Sequence, residues 1–209
     1  MAAKIDYIIP SQRFELFRDT IGLIIAQEFA KQKTLTSDTD FDAGVWVERF
    51  ISFDAATELP AVNVSYKETV YSTQDARSKF GDNLFTIEVT SKGYNTATTR
   101  ADLNAAKTLH KLLGKISYIF SSAEYTYLGL PLGVVMQRMV REIKIYPPDP
   151  VYNPIHSGDE LATVSGRIVL SIKAAEEVGD MEGILITDIF TTMTIDETDK
   201  GYKINILNT

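Results

Sequence analysis

The side chains able to do acid–base or nucleophilic chemistry are few and scattered. The chain has two histidines, His110 and His156, and no cysteine. His156 sits in a stretch rich in Pro and Gly, with Ser157 and Asp159 beside it. A Ser-His-Asp relay needs the imidazole held between hydroxyl and carboxylate in space, and near-adjacent loop residues do not supply that by spacing. His110 recurs with Leu109, Leu113 and Ile116 at helical steps, which predicts a hydrogen-bonded structural histidine on the apolar side of a helix. Ser37, Asp38, Asp40 and Asp42 form an acidic loop, but it lacks the sixth-position Gly and closing Glu of an EF-hand, so it is a poor calcium ligand set. Glu176-Glu177 and Asp196-Glu197 read as solvated linker charges. Arg138, Arg141 and Lys144 make a short basic stretch interrupted by Glu142, which points to an ion-paired strand face or a subunit contact over DNA readout. Phosphate-binding glycine loops, zinc-protease helices and nucleophile elbows are missing from the sequence. The expectation is a non-enzymatic protein with no catalytic, cofactor-binding or metal-binding residues.

The totals narrow the class further. The chain has 209 residues, 44% of them hydrophobic, and a formal charge of -7 with a pI near 4.9. That is long enough for one substantial core. Without cysteine there are neither disulfides nor thiolate metal sites. The N-terminal residues lack an apolar leader segment, and apolar runs fall short of the ~20 residues a membrane helix needs. The expected setting is therefore a cytoplasm, with no membrane partner. Net acidity disfavours tight binding to phosphate backbones but allows DNA to slide past without sticking.

The elements that would position these residues follow from periodicity. Ser11 is a candidate cap for a helix through about Lys33, with Phe14, Phe17, Ile21, Ile24, Ile25 and Phe29 as its stripe. Thr34 to Gly44 reads as a mobile polar loop, and Val45 to Ile51 as a strand holding the only Trp. From Leu59 to Tyr66, Pro60, Val62, Val64 and Tyr66 alternate with Ala61, Asn63 and Ser65, as in a strand with one buried face. A loop from Ser72 to Asn83 leads to a second strand with Phe85, Ile87 and Val89 inward. A helix follows, capped by Thr99 with Asp102, whose apolar side carries Leu103, Ala106, Leu109, His110, Leu113, Ile116, Ile119 and Phe120. Val134 to Tyr146 alternates imperfectly, with Met139, Ile143 and Ile145 on one face, and a bulge would explain the misfit. Leu161 to Ala175 is the clearest strand, and its Pro-rich approach predicts an antiparallel pair. After the acidic Glu176 to Gly183, Ile184 to Leu207 reads as a hairpin turning at Asp199 to Gly201. A lone hairpin is marginal, so it must lie on the main sheet or pair with another chain. The predicted fold class is α+β: a twisted, mainly antiparallel or mixed sheet flanked by two or more helices, with a C-terminal hairpin extension. The predicted division is 1–175 for the main domain and 176–209 for acidic linker and hairpin.

The order of these pieces, with the run Leu59-Pro60-Ala61-Val62-Asn63-Val64, the strand Phe85 to Val89 and the helix Ala101 to Phe120, resembles the tail-terminator proteins of tailed bacteriophages over about residues 8–175. The resemblance implies a small α/β unit that assembles as a homohexameric ring on the tail-tube protein, stops tube growth and offers a surface to the neck or head-completion protein. DNA would pass through the lumen without specific binding. The longer loop after Lys33 and the added hairpin depart from the short members and point to contractile tails, where the sheath protein is a further partner. The implied location is the virion, after assembly in the host cytoplasm. Other readings are a different neck or head–tail joining protein, or a small-molecule-binding domain or enzyme using His156.

Overall fold

The computed structural model describes residues 12–71, 79–146, 161–176, 193–198 and 201–206. Its order is α1 (Arg13–Thr36), a 3-10 turn (Thr39–Asp42), β1 (Gly44–Val47), β2 (Ala61–Tyr71), β3 (Lys79–Tyr94), α2 (Ala101–Ile119), a second 3-10 turn (Ala123–Tyr125), β4 (Val135–Tyr146), β5 (Leu161–Glu176), β6 (Met193–Thr198) and β7 (Gly201–Ile206). The seven strands form one mixed sheet in the order β4-β5-β3-β2-β1-β7-β6. Only β1 and β2 pair in parallel; every other neighbour pair is antiparallel. The expected α+β class holds.

Both helices lie on one face. Phe17, Ile21, Ile25 and Phe29 of α1 and Leu109, Leu112 and Ile116 of α2 share a single core with Val62 and Val64, Phe85, Ile87 and Val89, and Ile168, Leu170 and Ile172. Each such side chain contributes roughly 1.5–3 kcal/mol by leaving water. α1 packs over β1, β2 and β7, and α2 over β3 and β5. Two contacts set the seat of α2. Ser91 Oγ, fully buried, donates to the Ala105 carbonyl at 2.7 Å. A Cβ on Gly93 would meet the Ala101 carbonyl and the Ala105 nitrogen at 2.3 Å each, so only glycine lets the helix come this close.

Several expectations are corrected. α1 begins at Arg13, with the Gln12 N–H donating to Glu15 Oε2 at 2.7 Å; Ser11 lies outside the described residues. α2 is not capped through Thr99: the Ala101 N–H donates to Asn95 Oδ1 at 2.7 Å. His110 and Leu103 are exposed, because the helix turns Leu109, Leu112 and Ile116 onto the sheet instead. The loop from Ser72 to Asn83 shrinks, since β3 already starts at Lys79 and Asn83 is fully buried within it. Residues 34–44 contain the end of α1 and a 3-10 turn with Phe41 buried, so they are anchored to the core. Burial also takes in both faces of β2 from Ala61 to Val64.

The bulge expected in β4 is present, with register shifts between Val135 and Gln137 and between Val140 and Glu142. It changes which residues share a face. Met139 opposes Ser171 while Ile143 opposes Ile168, three positions apart on a regular strand, so Met139 and Ile143 lie on opposite faces. The antiparallel β4–β5 pair forms as read, and a β6–β7 hairpin forms with shifted bounds: its first arm runs on to Thr198 instead of ending at Ile195, and Gly201 opens the second arm. The hairpin lies on the main sheet, β7 pairing with β1 at Trp46↔Lys203 and Val47↔Tyr202. Residues 184–192 of the predicted hairpin and positions 199–200 of its turn fall outside the described residues.

Candidate interaction surface

The most elaborate polar construction in the molecule follows β1. The chain should run on as a strand to Ile51, yet β1 stops at Val47. Glu48 takes a left-handed backbone conformation (φ 51°), which swings the chain off the sheet. Side chains then replace the ladder. Glu48 Oε1 accepts from the Tyr66 N–H at 2.8 Å. Asn63, buried, accepts from the Arg49 N–H at 3.1 Å and donates to the Arg49 carbonyl at 2.8 Å.

Arg49 itself closes the loop. Its guanidinium lies 4.4 Å from the Trp46 ring centroid and 4.1 Å from that of Phe53. It donates to both Glu58 oxygens at 3.0 and 2.7 Å, and to the carbonyls of Ile51 and Ser52 at 3.1 Å each. The Arg49 side chain has no exposed area. A buried charge is tolerable only with this degree of pairing, and the planar guanidinium suits the bidentate carboxylate and the two rings together. Glu58 also accepts from the Asp54 N–H at 2.7 Å, fixing the far side of the loop. Between these anchors Phe50 and Ile51 point outward, 84% and 55% exposed. Holding two large apolar side chains in water on a rigid support keeps the ordering cost of docking low.

A second exposed apolar region runs along β4. Met136, Met139, Ile143 and Ile145 are each between 43% and 53% exposed. Ile143 and Ile145 remain uncovered because β4 is the outermost strand and α2 sits over β3 and β5, while Met139 lies on the face away from the helices. Two of the charges among them have partners within the sheet: Arg141, still partly exposed, lies 3.6 Å from Asp82, and Glu142 accepts from Arg167 at 3.2 Å. Arg138 donates to the Ser122 carbonyl at 2.9 Å and the Ile119 carbonyl at 3.5 Å, placing a cation at the C-terminal end of α2, where the helix dipole favours one. Burial lowers the pKa of Arg138. Of the basic stretch, then, Arg141 meets a carboxylate, Arg138 meets carbonyls, and Lys144 Nζ lies 5.9 Å from the Tyr146 ring centroid.

The acidic loop after α1 binds a lysine. Lys111 Nζ donates to Asp38 Oδ2 at 2.8 Å and also to Asp40, and Lys33 pairs with Asp42. The hydrogen bond from Lys111 holds the Asp38 carboxyl below its ordinary range. Among the described residues no group of three or more His, Cys, Asp or Glu side chains could hold a metal. A groove of about 570 Å³ runs beside this loop, lined by Phe29, Ala30, Phe41 and Val45 and by the paired Lys33 and Asp42. Tyr125 spans from the α2–β4 connection to α1, donating to Glu28 Oε1 at 2.5 Å, and burial with the Glu28 charge raises its pKa.

No protein-family model matches this chain, and no curated protein does. Of the residues singled out for chemistry, His110 is exposed on α2 with no acid or nucleophile of the relay beside it in sequence. His156, Ser157, Asp159 and Glu177 lie outside the described residues, while Asp196 and Glu197 fall on β6. Sequence reasoning missed the Arg49 clamp and the Phe50–Ile51 tip. The available signal was Arg49 flanked by Trp46, Phe50 and Phe53, an unusual aromatic density around one cation.

Proposed function

We propose that this chain is a ring-forming structural protein of the tail-terminator kind, acting through contacts and not through catalysis. In this reading six copies cap the head-proximal end of a phage tail tube, stop its growth and present a surface to the neck protein. The sheath protein is a further partner in a contractile tail, and DNA passes through the lumen. One observation carries it: the sheet ends in a strand, β4, whose outer main-chain groups have no neighbouring strand among the described residues and whose two faces expose Met139 on one side and Ile143 and Ile145 on the other. Such an edge is a hazard to a solitary domain and an asset to one built for assembly. The rigidly held Phe50 and Ile51 offer a separate anchor for a second kind of partner.

The test is genetic and visual. Phage lacking this protein should make tails of uncontrolled length, and purified protein added to growing tubes should halt them with a single ring at one end. Tails of normal length that fail to join heads would mean a neck-joining role instead. Tubes that lengthen unchecked in the presence of the protein would refute the reading. The net charge of -7 further predicts an acidic lumen wall, and a neutral or basic one would remove that part.

A further inference from the structure

Among the described residues the sheet ends in β4 on one side and β6 on the other, and the two edges are unlike. β4 carries Arg138, Arg141 and Lys144 against Glu142 alone, while β6 carries Asp196 and Glu197 and no cation. Each also has apolar residues in the same strand as its charges, Met139, Ile143 and Ile145 on one and Met193 and Ile195 on the other. Strand direction is fixed by the ladder. Starting from β4, each step reverses the chain except the parallel β2–β1 step, so β4 and β6 run in opposite directions. A second copy set beside the first in the same orientation therefore brings its β6 antiparallel against β4, in the mode that dominates the sheet already. Two copies of the same edge would instead oppose like charges.

We propose that copies of this chain associate head to tail, β4 of one pairing with β6 of the next to continue the sheet across the contact. A contact between two different surfaces is heterologous and propagates, closing into a ring when its rotation allows. The inference deepens the tail-terminator reading and rests on it for ring closure; the pairing itself can be tested alone. Opposite charge on the two edges makes the association weaken as salt shortens the reach of the attraction.

The absence of native cysteine makes the experiment clean. Ile143→Cys on β4 and Thr194→Cys on β6 are prepared separately and treated with a short bis-maleimide, alone and mixed, with and without tail tubes as a template. Met139→Cys, on the opposite face of β4, serves if Ile143→Cys fails to fold by circular dichroism. The mixture should give a cross-linked dimer that neither variant gives alone, with a several-fold lower yield in high salt and in Arg141→Glu/Lys144→Glu. Cross-linking of the β4 variant by itself, or none in the mixture with tubes present, would overturn the pairing. In a chain carrying both cysteines, a ladder ending at six copies supports pairing and ring together. A ladder running on to long polymers supports the pairing and refutes the ring. Rings seen by microscopy without any cross-link refute the pairing and leave the ring reading standing.

Discussion

Two glycines on or beside the same helix should respond to alanine with opposite signs. At Gly93 the added methyl would stand 2.3 Å from two backbone atoms of α2, the Ala101 carbonyl oxygen and the Ala105 nitrogen. Ordinary contact needs a separation about 1 Å larger, and backbone at a helix start cannot swing aside as a side chain can. α2 must lift, which strains the Ser91–Ala105 hydrogen bond and loosens Leu109 and Leu113 against β3 and β5. Overpacking costs typically 1–3 kcal/mol, and a backbone clash belongs at the top of that range, about 3 kcal/mol. For a domain of this size each kcal/mol moves Tm by about 2–4 °C, so Gly93→Ala should lower it by about 6–12 °C. Gly114 is an exposed residue within α2, and its added methyl would meet nothing within 4 Å. There alanine should stabilise by up to about 1 kcal/mol through helix propensity, raising Tm by about 2–4 °C. Thermal unfolding followed by circular dichroism at 222 nm, with urea titration as a check, reads both. A Gly93→Ala protein melting within about 2 °C of the parent, or a Gly114→Ala protein melting below it, would refute this account of how α2 is seated.

Other consequences can be checked with the same equipment. Glu58→Gln leaves the Arg49 guanidinium buried without its counter-charge; removing one partner of such a pair costs about 3 kcal/mol or more, and replacing Arg49 as well by Met should recover part of it in a double-mutant cycle. Phe50→Ser with Ile51→Ser should leave Tm within about 2 °C of the parent, because both residues are exposed, yet reduce co-sedimentation with tail tubes or neck protein at least tenfold. Unchanged binding would remove Phe50 and Ile51 from the interface. The Asp38 carboxyl is held below its ordinary value of 3.8 by Lys111, so its contribution is present above that value and is lost as pH falls through the lower folded-state value. Asp38→Asn should therefore lower Tm at neutral pH and match the parent near about pH 2. A gap of equal size at both ends of the range would show that the ion pair is not responsible.

What could be read from the chain was what neighbours in sequence decide. The alternation of Phe85, Ile87 and Val89 and the stripe from Phe17 to Phe29 both record local geometry, because periods of two and of 3.6 place side chains on faces wherever the element ends up. The misfit in β4 was also legible as a bulge, since alternation breaks visibly in the sequence. Its effect on the faces was not, because only pairing with β5 tells which residues oppose Ser171 and Ile168. His110 looked buried from its spacing, but the roll of α2 is set by Gly93 and Ser91 on another element. The loop of Asp38 to Asp42 looked mobile until Lys111, some seventy positions along, was brought beside it. Arg49 was read only as part of a strand, and its burial depends on Trp46, Phe53 and Glu58 converging where Glu48 turns the chain away. Strand order, and with it which strands end the sheet among the described residues, is a sum of such distant contacts. Composition and period thus determined the class of the fold and its core, whereas the surfaces left to meet a partner were decided only when the chain closed on itself.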